Sequence, residues 1–263
     1  MQTMLCNKTK MFGKGEEMLK KLYDKSRLGF ALFWIGAYCV LMSVADGASA
    51  AVGVEKSVTL PVGLLLCLVL FFFLSKNGLL ESYGLCRPRV SHRKMLFYLP
   101  LALMLSVNLW YGVSMPKGAL SAVLSVLSML CVGFLEEVIF RGLLFGAMRE
   151  GSLKAAVAVS SVTFGIGHIV NLINGSGAEL LPSLLQVVYA TAAGFMFVMI
   201  YYRSESLLAC IGAHGIFNAL GVFANEAAAT PKTRILFALA LTVITAGYGA
   251  YLACFPSKKG GEQ

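Results

Sequence analysis

Three short stretches carry polar chemistry where the sequence is otherwise apolar. The first, Glu136-Glu137-Val138-Ile139-Phe140-Arg141, sets two carboxylates and a guanidinium inside a long hydrophobic run. Ionisable groups in such a run are expensive and by default mark function. Glu137 and Arg141 are four apart, so they share a helix face and can pair. Glu136 lies about 100° further around the helix, which leaves it free for another task. A buried ion pair that locks two helices accounts for Glu137 and Arg141, but poorly for the second carboxylate. The second stretch is Phe164-Gly165-Ile166-Gly167-His168. A lone histidine on an apolar helix is usually satisfied by an interhelical hydrogen bond, and Phe164, one turn earlier, reads as packing. Its glycines permit close approach of another backbone or of a substrate. The third stretch is His214-Gly215-Ile216-Phe217-Asn218, where two polar side chains share one face at i, i+4. Asn218 can orient His214 or donate a hydrogen bond of its own. The third histidine of the chain, His92, sits in a basic loop.

The resemblance of these three motifs to those of a family of membrane endopeptidases implies that together they hydrolyse an amide. That reaction needs an activated water and donors for the developing oxyanion. A carboxylate in an apolar cavity is a strengthened base, provided nearby cations keep enough of it ionised. Histidine and asparagine N–H groups then hold the oxyanion. Alternatively, Glu136, His168 and His214 bind zinc or another divalent metal that leaves water on an open position. The absence of H-E-x-x-H speaks against a zincin-like site. A mechanism that requires no cofactor is favoured, because the motifs offer two histidines on different helices and no dedicated third ligand.

The elements that must hold these groups are membrane helices. Of the 263 residues, 58% are hydrophobic and only 13% charged, more apolar than a soluble core of this size can hide. Eight apolar stretches approach the roughly 20 residues that span a bilayer: 28–45, 58–75, 95–113, 119–144, 155–170, 181–202, 207–223 and 235–255. The fourth continues through Met148, so it is expected to tilt or project. The net charge of +9 is no nucleic-acid signature, since the basic residues lie in short segments between apolar runs. With a cytoplasmic amino terminus the inside segments hold 17 Lys and Arg and the outside segments 4, which puts both termini in the cytoplasm. Ala48-Ser49-Ala50 has the form of a signal-peptidase site, but the charged flank and apolar core before it are both too long for a signal peptide. The seven cysteines form no C-x-x-C and read as small buried hydrophobes. Met11–Arg27 has a helix-like mix of Met, Leu, Tyr and Lys, read as a solvated topogenic flank in preference to a helix lying on the leaflet.

Depth ties the clusters together. Glu136 is 13 residues before Arg149, His168 is 14 after Lys154 and His214 is 11 after Arg203. At about 1.5 Å per residue these are depths of roughly 20, 21 and 17 Å. Accidental polar residues have no reason to match, so the three clusters are read as one site.

The motifs E-E-x-x-x-R, F-x-x-x-H and H-x-x-x-N, in that order on separate membrane helices, resemble those of the CAAX protease and bacteriocin-processing (CPBP, or Abi) family. All three match without a departure, within 119–223, and Tyr83-Gly84-Leu85-Cys86-Arg87 resembles a glycine-leucine-basic segment upstream in many members. The resemblance implies an all-α intramembrane endopeptidase related to the type 2 CAAX prenyl protease, with its cavity facing the cytoplasm. It makes Glu136 the base that activates water and has His168, His214 and Asn218 complete the site. Glu137 and Arg141 match the positions that support it, and Phe164 belongs to the second motif.

The expected protein is therefore an all-α, multi-pass membrane protein of about eight transmembrane helices. Residues 1–27 form a basic cytoplasmic segment, 28–255 the transmembrane domain and 256–263 a cytoplasmic tail. Its expected partners are the lipid bilayer and a peptide or protein substrate, lipidated or not, and no nucleic acid. Two other classes compete: a non-catalytic immunity or scaffold protein of the same fold, and a proton-coupled transporter with a Glu/His relay.

Overall fold

The computed structural model describes residues 2–91, 98–116, 118–173 and 179–254. His92 and the 256–263 tail lie outside the described residues. The described chain is an all-helical bundle. Helix α1 (Gln2–Lys25) is separated from α2 (Arg27–Val52) only by Ser26, whose hydroxyl accepts from the Gly29 N–H and caps α2. There follow α3 (Thr59–Lys76), α4 (Tyr98–Ser106) and α5 (Ala119–Glu136), the last running on without a break through Glu137–Phe145 to Met148. Then come α6 (Leu153–Gly167), α7 (Leu180–Ser204), α8 (Leu208–Gly221) and α9 (Pro231–Cys254).

All eight apolar stretches become helix. Six are long and apolar enough to cross a membrane, and two are short. The stretch expected over 95–113 is helical from Tyr98 to Leu109, its last turn tightening into a 3₁₀ form. The stretch expected over 207–223 makes a helix of 14 residues. Leucines and valines such as Leu32, Val40, Val44, Leu65, Leu120 and Val243 point outward from the bundle. An outer surface of that kind suits hydrocarbon, where a helix satisfies its own backbone. The protein is an integral, multi-pass membrane protein.

Hydrogen bonds and ion pairs sort the connections onto two ends. At one end Arg27 lies 3.7 Å from Glu150, Lys76 pairs with Glu16, Arg89 pairs with Glu205 at 3.0 Å, and Leu207 N–H donates to the Gly84 carbonyl. At the other end Lys56 pairs with Asp46 at 2.8 Å, Ser121 donates to Glu55, and Ser114 N–H donates to the Phe223 carbonyl. Successive helices run between these ends, so α1 and the close of α9 share the first, where Arg203 donates to the carbonyls of Leu252 and Ala253. The segment expected as a solvated flank is helical, and its last turns are packed: Tyr23 is buried edge-on to Phe30 and Phe73. Ala48-Ser49-Ala50 lies inside α2, and the buried Ser49 shares a 3.0 Å hydrogen bond with Thr59.

Two glycine crossings set the spacing of the central helices. A Cβ on Gly133 of α5 would stand 2.6 Å from the Gly215 backbone of α8, and one on Gly165 of α6 would run into Thr191 of α7. Small residues are what allow membrane helices to approach this closely. Gly133→Ala should therefore lower the thermal unfolding midpoint of the purified protein in detergent, because backbone cannot yield as a flexible side chain does. Gly212 on α8 has nothing within 4 Å of its Cβ position. Gly212→Ala should leave the midpoint unchanged or higher, since alanine favours a helix over glycine by about 1 kcal/mol. Equal midpoints for the two variants would refute this account of the crossing.

Candidate active site

The three motifs converge. Glu136 ends the α-helical part of α5, and the next nine residues, Glu137–Phe145, are wound as a π-helix and are all buried. Such wide turns are rare and recur at functional sites. The Ser160 hydroxyl of α6 donates to the Phe140 carbonyl at 2.8 Å, holding this segment from the side. Because α5 meets α8 at Gly133 and Gly215, the carboxylates one turn further along reach His214.

Glu137 and Arg141 are fully buried and 3.0 Å apart, the pair expected from their spacing. The contact is close but misaligned, so the guanidinium nitrogens and Glu137 Oε2 lack a hydrogen bond of good geometry. Aromatic faces take up the cation instead. The Arg141 guanidinium carbon lies 3.9 Å from the centre of the Phe164 ring and 5.4 Å from that of Phe197. A desolvated cation over such a ring gains about 2 kcal/mol. Phe164 was read as packing; here it is also the surface on which the arginine rests.

His214 stands between the two glutamates. Its Nδ1 donates to Glu137 Oε1 at 2.8 Å, while its Nε2 is 3.4 Å from Glu136 Oε2. Phe197 stacks on the imidazole and Phe164 meets it edge-on, which fixes the ring plane. His168 caps the end of α6, and its Nδ1 sits 2.9 Å from the Phe164 carbonyl. A carbonyl only accepts, so that nitrogen carries the proton and Nε2 is left for other partners.

Glu136 faces a cavity of about 320 Å³, lined also by Tyr38, Phe164, Gly167, His168 and Asn218. Its Oε1 accepts a 2.6 Å hydrogen bond from the Tyr38 hydroxyl of α2. His214 does not line this space; it borders a smaller one of about 50 Å³ with His168 and Asn218. The Asn218 carboxamide has no hydrogen-bond partner among the described residues, and α8 is pinned beside it by Asn108, which donates to the Phe217 carbonyl at 2.6 Å. Five of the seven residues singled out from the sequence thus line the two cavities, and Glu137 and Arg141 lie buried behind them. Tyr38 was missed, although a signal for it exists. It is 11 residues beyond Arg27, a depth of about 16 Å, and a buried tyrosine hydroxyl needs a partner.

The donor set does not fit the metal alternative as it stands. Among the described residues no group of three or more His, Cys, Asp and Glu side chains is arranged to hold a metal ion. His214 turns both nitrogens toward carboxylates, and His168 offers Nε2 alone. Cys39, Cys67, Cys86, Cys131, Cys210 and Cys254 are all free thiols.

Residues 118–220 match the family model described as "Type II CAAX prenyl endopeptidase Rce1-like". That span contains all three motifs, and the resemblance read from them is borne out there. A curated relative, "Putative membrane peptidase YdiL" of Bacillus subtilis (strain 168), is 38% identical over 89 residues. The aligned part makes up 34% of this chain and 31% of that protein. No solved structure matches the chain.

The pair at the centre of the site has a testable energetic consequence. Arg141→Ala strands Glu137 in a region without water, which costs roughly 3–5 kcal/mol for a buried pair. Accumulation in the membrane and the unfolding midpoint should both fall. Arg141→Lys should not restore them fully, because an ammonium cannot lie flat against Phe164 as a guanidinium does. The double variant Glu137→Gln with Arg141→Met should recover folding better than Arg141→Ala. A single Arg141→Ala variant as abundant and heat-stable as wild type would show that the pair does not carry this weight.

Proposed function

We propose that this protein is an intramembrane endopeptidase that hydrolyses a peptide bond of a membrane-associated or lipidated protein or peptide, with Glu136 as general base. The observation that carries the reading is the different fate of two adjacent carboxylates. Glu137 is spent on Arg141 and His214 in a closed core, whereas Glu136 faces an open cavity, its Oε1 held by the Tyr38 hydroxyl and its Oε2 3.4 Å from His214 Nε2. The Rce1-like match over the same residues supports the same chemistry.

The roles follow from which atoms remain available. A water beside Glu136 gives its proton to the carboxylate as its oxygen attacks the scissile carbonyl carbon. The C–N bond then breaks as Glu136 returns that proton to the departing nitrogen, leaving a carboxylic acid and an amine. The oxyanion formed in between is received by the Asn218 carboxamide and by His168 Nε2 in its protonated form. Tyr38 holds one Glu136 oxygen and so aims the other toward the water. His214 acts through Glu136: with Nδ1–H committed to Glu137, its Nε2 faces Glu136 Oε2 and accepts from that carboxyl once it carries the water's proton. The scheme needs no metal, and its partners are the bilayer and a peptide substrate.

Glu136→Gln should abolish cleavage while the protein remains folded in the membrane, since the amide nearly matches the carboxylate in shape but cannot take the proton. Tyr38→Phe should slow turnover without abolishing it. The direct measurement compares, by mass spectrometry, the membrane peptides of cells expressing wild type with those of cells expressing Glu136→Gln. Products that persist at wild-type level in the Glu136→Gln cells would defeat the assignment. A second measurement addresses the metal. Purified active protein should contain well under one metal ion per chain and keep its activity through chelation. Activity lost with stoichiometric zinc and restored by zinc alone would replace this scheme with a metal-bound water.

A further inference from the structure

The cavity is one-sided. Its lining begins at Phe140, Glu136 and His168 and continues through Ser43, Asp46, Lys56 and Thr59. The Asp46–Lys56 pair lies at the end of the bundle where α2 turns into α3, and the Thr59 hydroxyl donates to Asp46 there at 2.6 Å. Val170 and Asn171 follow the close of α6 at that end, and Gln186 is less than two turns into α7 from it. No described residue of the connections at the opposite end lines the cavity.

Toward that opposite end the way is closed. All nine residues from Glu137 to Phe145 are buried, and Phe145 packs edge-on against the buried Tyr201. Beyond them the 83–89 segment is strapped over the α7–α8 connection. Ser206 donates to the Cys86 carbonyl, Arg89 N–H donates to the Ser204 carbonyl, and Gly84 at φ +74° leaves no room for a Cβ against Tyr201. The glycine-leucine-basic segment thus has a visible task, sealing this end.

The sealed end is the basic one. It carries Arg27, Lys76, Arg89, Arg149 and Arg203, whereas the open end carries Lys56, Lys232 and Arg234. Basic connections stay in the cytoplasm. A cytoplasmic basic end and a cavity facing the cytoplasm therefore cannot both hold in this fold, and the charge asymmetry and the packed wall agree with each other. We propose that the cavity opens on the non-cytoplasmic side, so that the substrate is a peptide segment presented there, after export or as the outer part of a membrane protein. This rests on the endopeptidase reading for its substrate, but the direction of opening is tested without any turnover.

The experiment uses the full-length chain in bacterial membranes, with a membrane-impermeant sulfonated maleimide as probe. Cys39, which lines the cavity, and Cys86, at the basic end, are each retained as the sole cysteine. A third variant with Ser43→Cys as its sole cysteine reports the cavity a turn further out. Cys39 and Ser43→Cys should label in right-side-out spheroplasts, and Cys86 only in inverted vesicles, each with at least a tenfold preference. Where removing buried cysteines impairs folding, Lys232→Cys and Lys20→Cys in the wild-type background report the two ends by the label gained over wild type. Cavity cysteines that label from the cytoplasmic side, from both sides or from neither overturn the proposal. Correctly sided labelling in a protein whose Glu136→Gln variant still cleaves would leave the direction standing and sink the catalytic reading instead.

Discussion

Inside a bilayer no solvent screens a guanidinium, so Arg141 can exist where it does only if the protein surrounds it with a counter-charge and polarisable faces. Glu137 supplies the first at 3.0 Å, and Phe164 and Phe197 supply the second. The rest of the site is built outward from that constraint. Glu137 has a second duty, accepting from His214, which requires α5 and α8 to approach until their backbones touch at Gly133 and Gly215. Phe164 also has a second duty, because its carbonyl fixes the proton of His168. One buried cation thereby couples the three motif helices, and the orientation of each histidine depends on a group that also serves the arginine.

The doubled glutamate gains its meaning from this arrangement. Adjacent residues on a helix point in directions about 100° apart, so a Glu-Glu step at the boundary between core and cavity sends one carboxylate to each. Fully buried Glu137 acts on the ring of His214, and Glu136 acts on the cavity. A single carboxylate would have to neutralise Arg141 and serve as base at once, and an ion-paired carboxylate is a poor base. Separating the duties leaves Glu136 outside the ion pair while the charge of the core stays fixed.

Much of this was legible in the sequence, and the reason is physical. The hydrocarbon forces apolar runs of fixed length, so intramembrane polar residues stand out, and counting residues from basic flanks gives their depth. That arithmetic placed Glu136, His168 and His214 together, and the i, i+4 spacing gave the Glu137–Arg141 pair. What the sequence could not supply was which neighbour each group turns toward. Tyr38 sits 98 residues from Glu136, and nothing in local periodicity links them. Phe164 looked like packing because a ring's use as a cation surface depends on a side chain from another helix. The 14-residue length of α8 was hidden because flanking loop residues are apolar too. The i, i+4 spacing gives His214 and Asn218 a shared helix face, yet only Asn218 lines the larger cavity, because the Glu137 bond turns the imidazole aside.

A carboxylate facing a polar cavity at this depth sets a further constraint, since the bilayer must stay closed to water beyond it. A polar path reaching Glu136 from both ends would be a conduit for protons as well as a route for water. The molecule resolves this by making the same segment serve as floor and wall. Phe140 is the last residue of this helix to line the cavity, and the π-helical turns beyond it are closed by Leu143, Leu144 and Phe145. The buried charges lie within that wall, paired to each other, to His214 and to aromatic faces. The tight pairing of Arg141 is thus what allows the cavity-facing carboxylate of Glu136 to sit one residue from the buried Glu137.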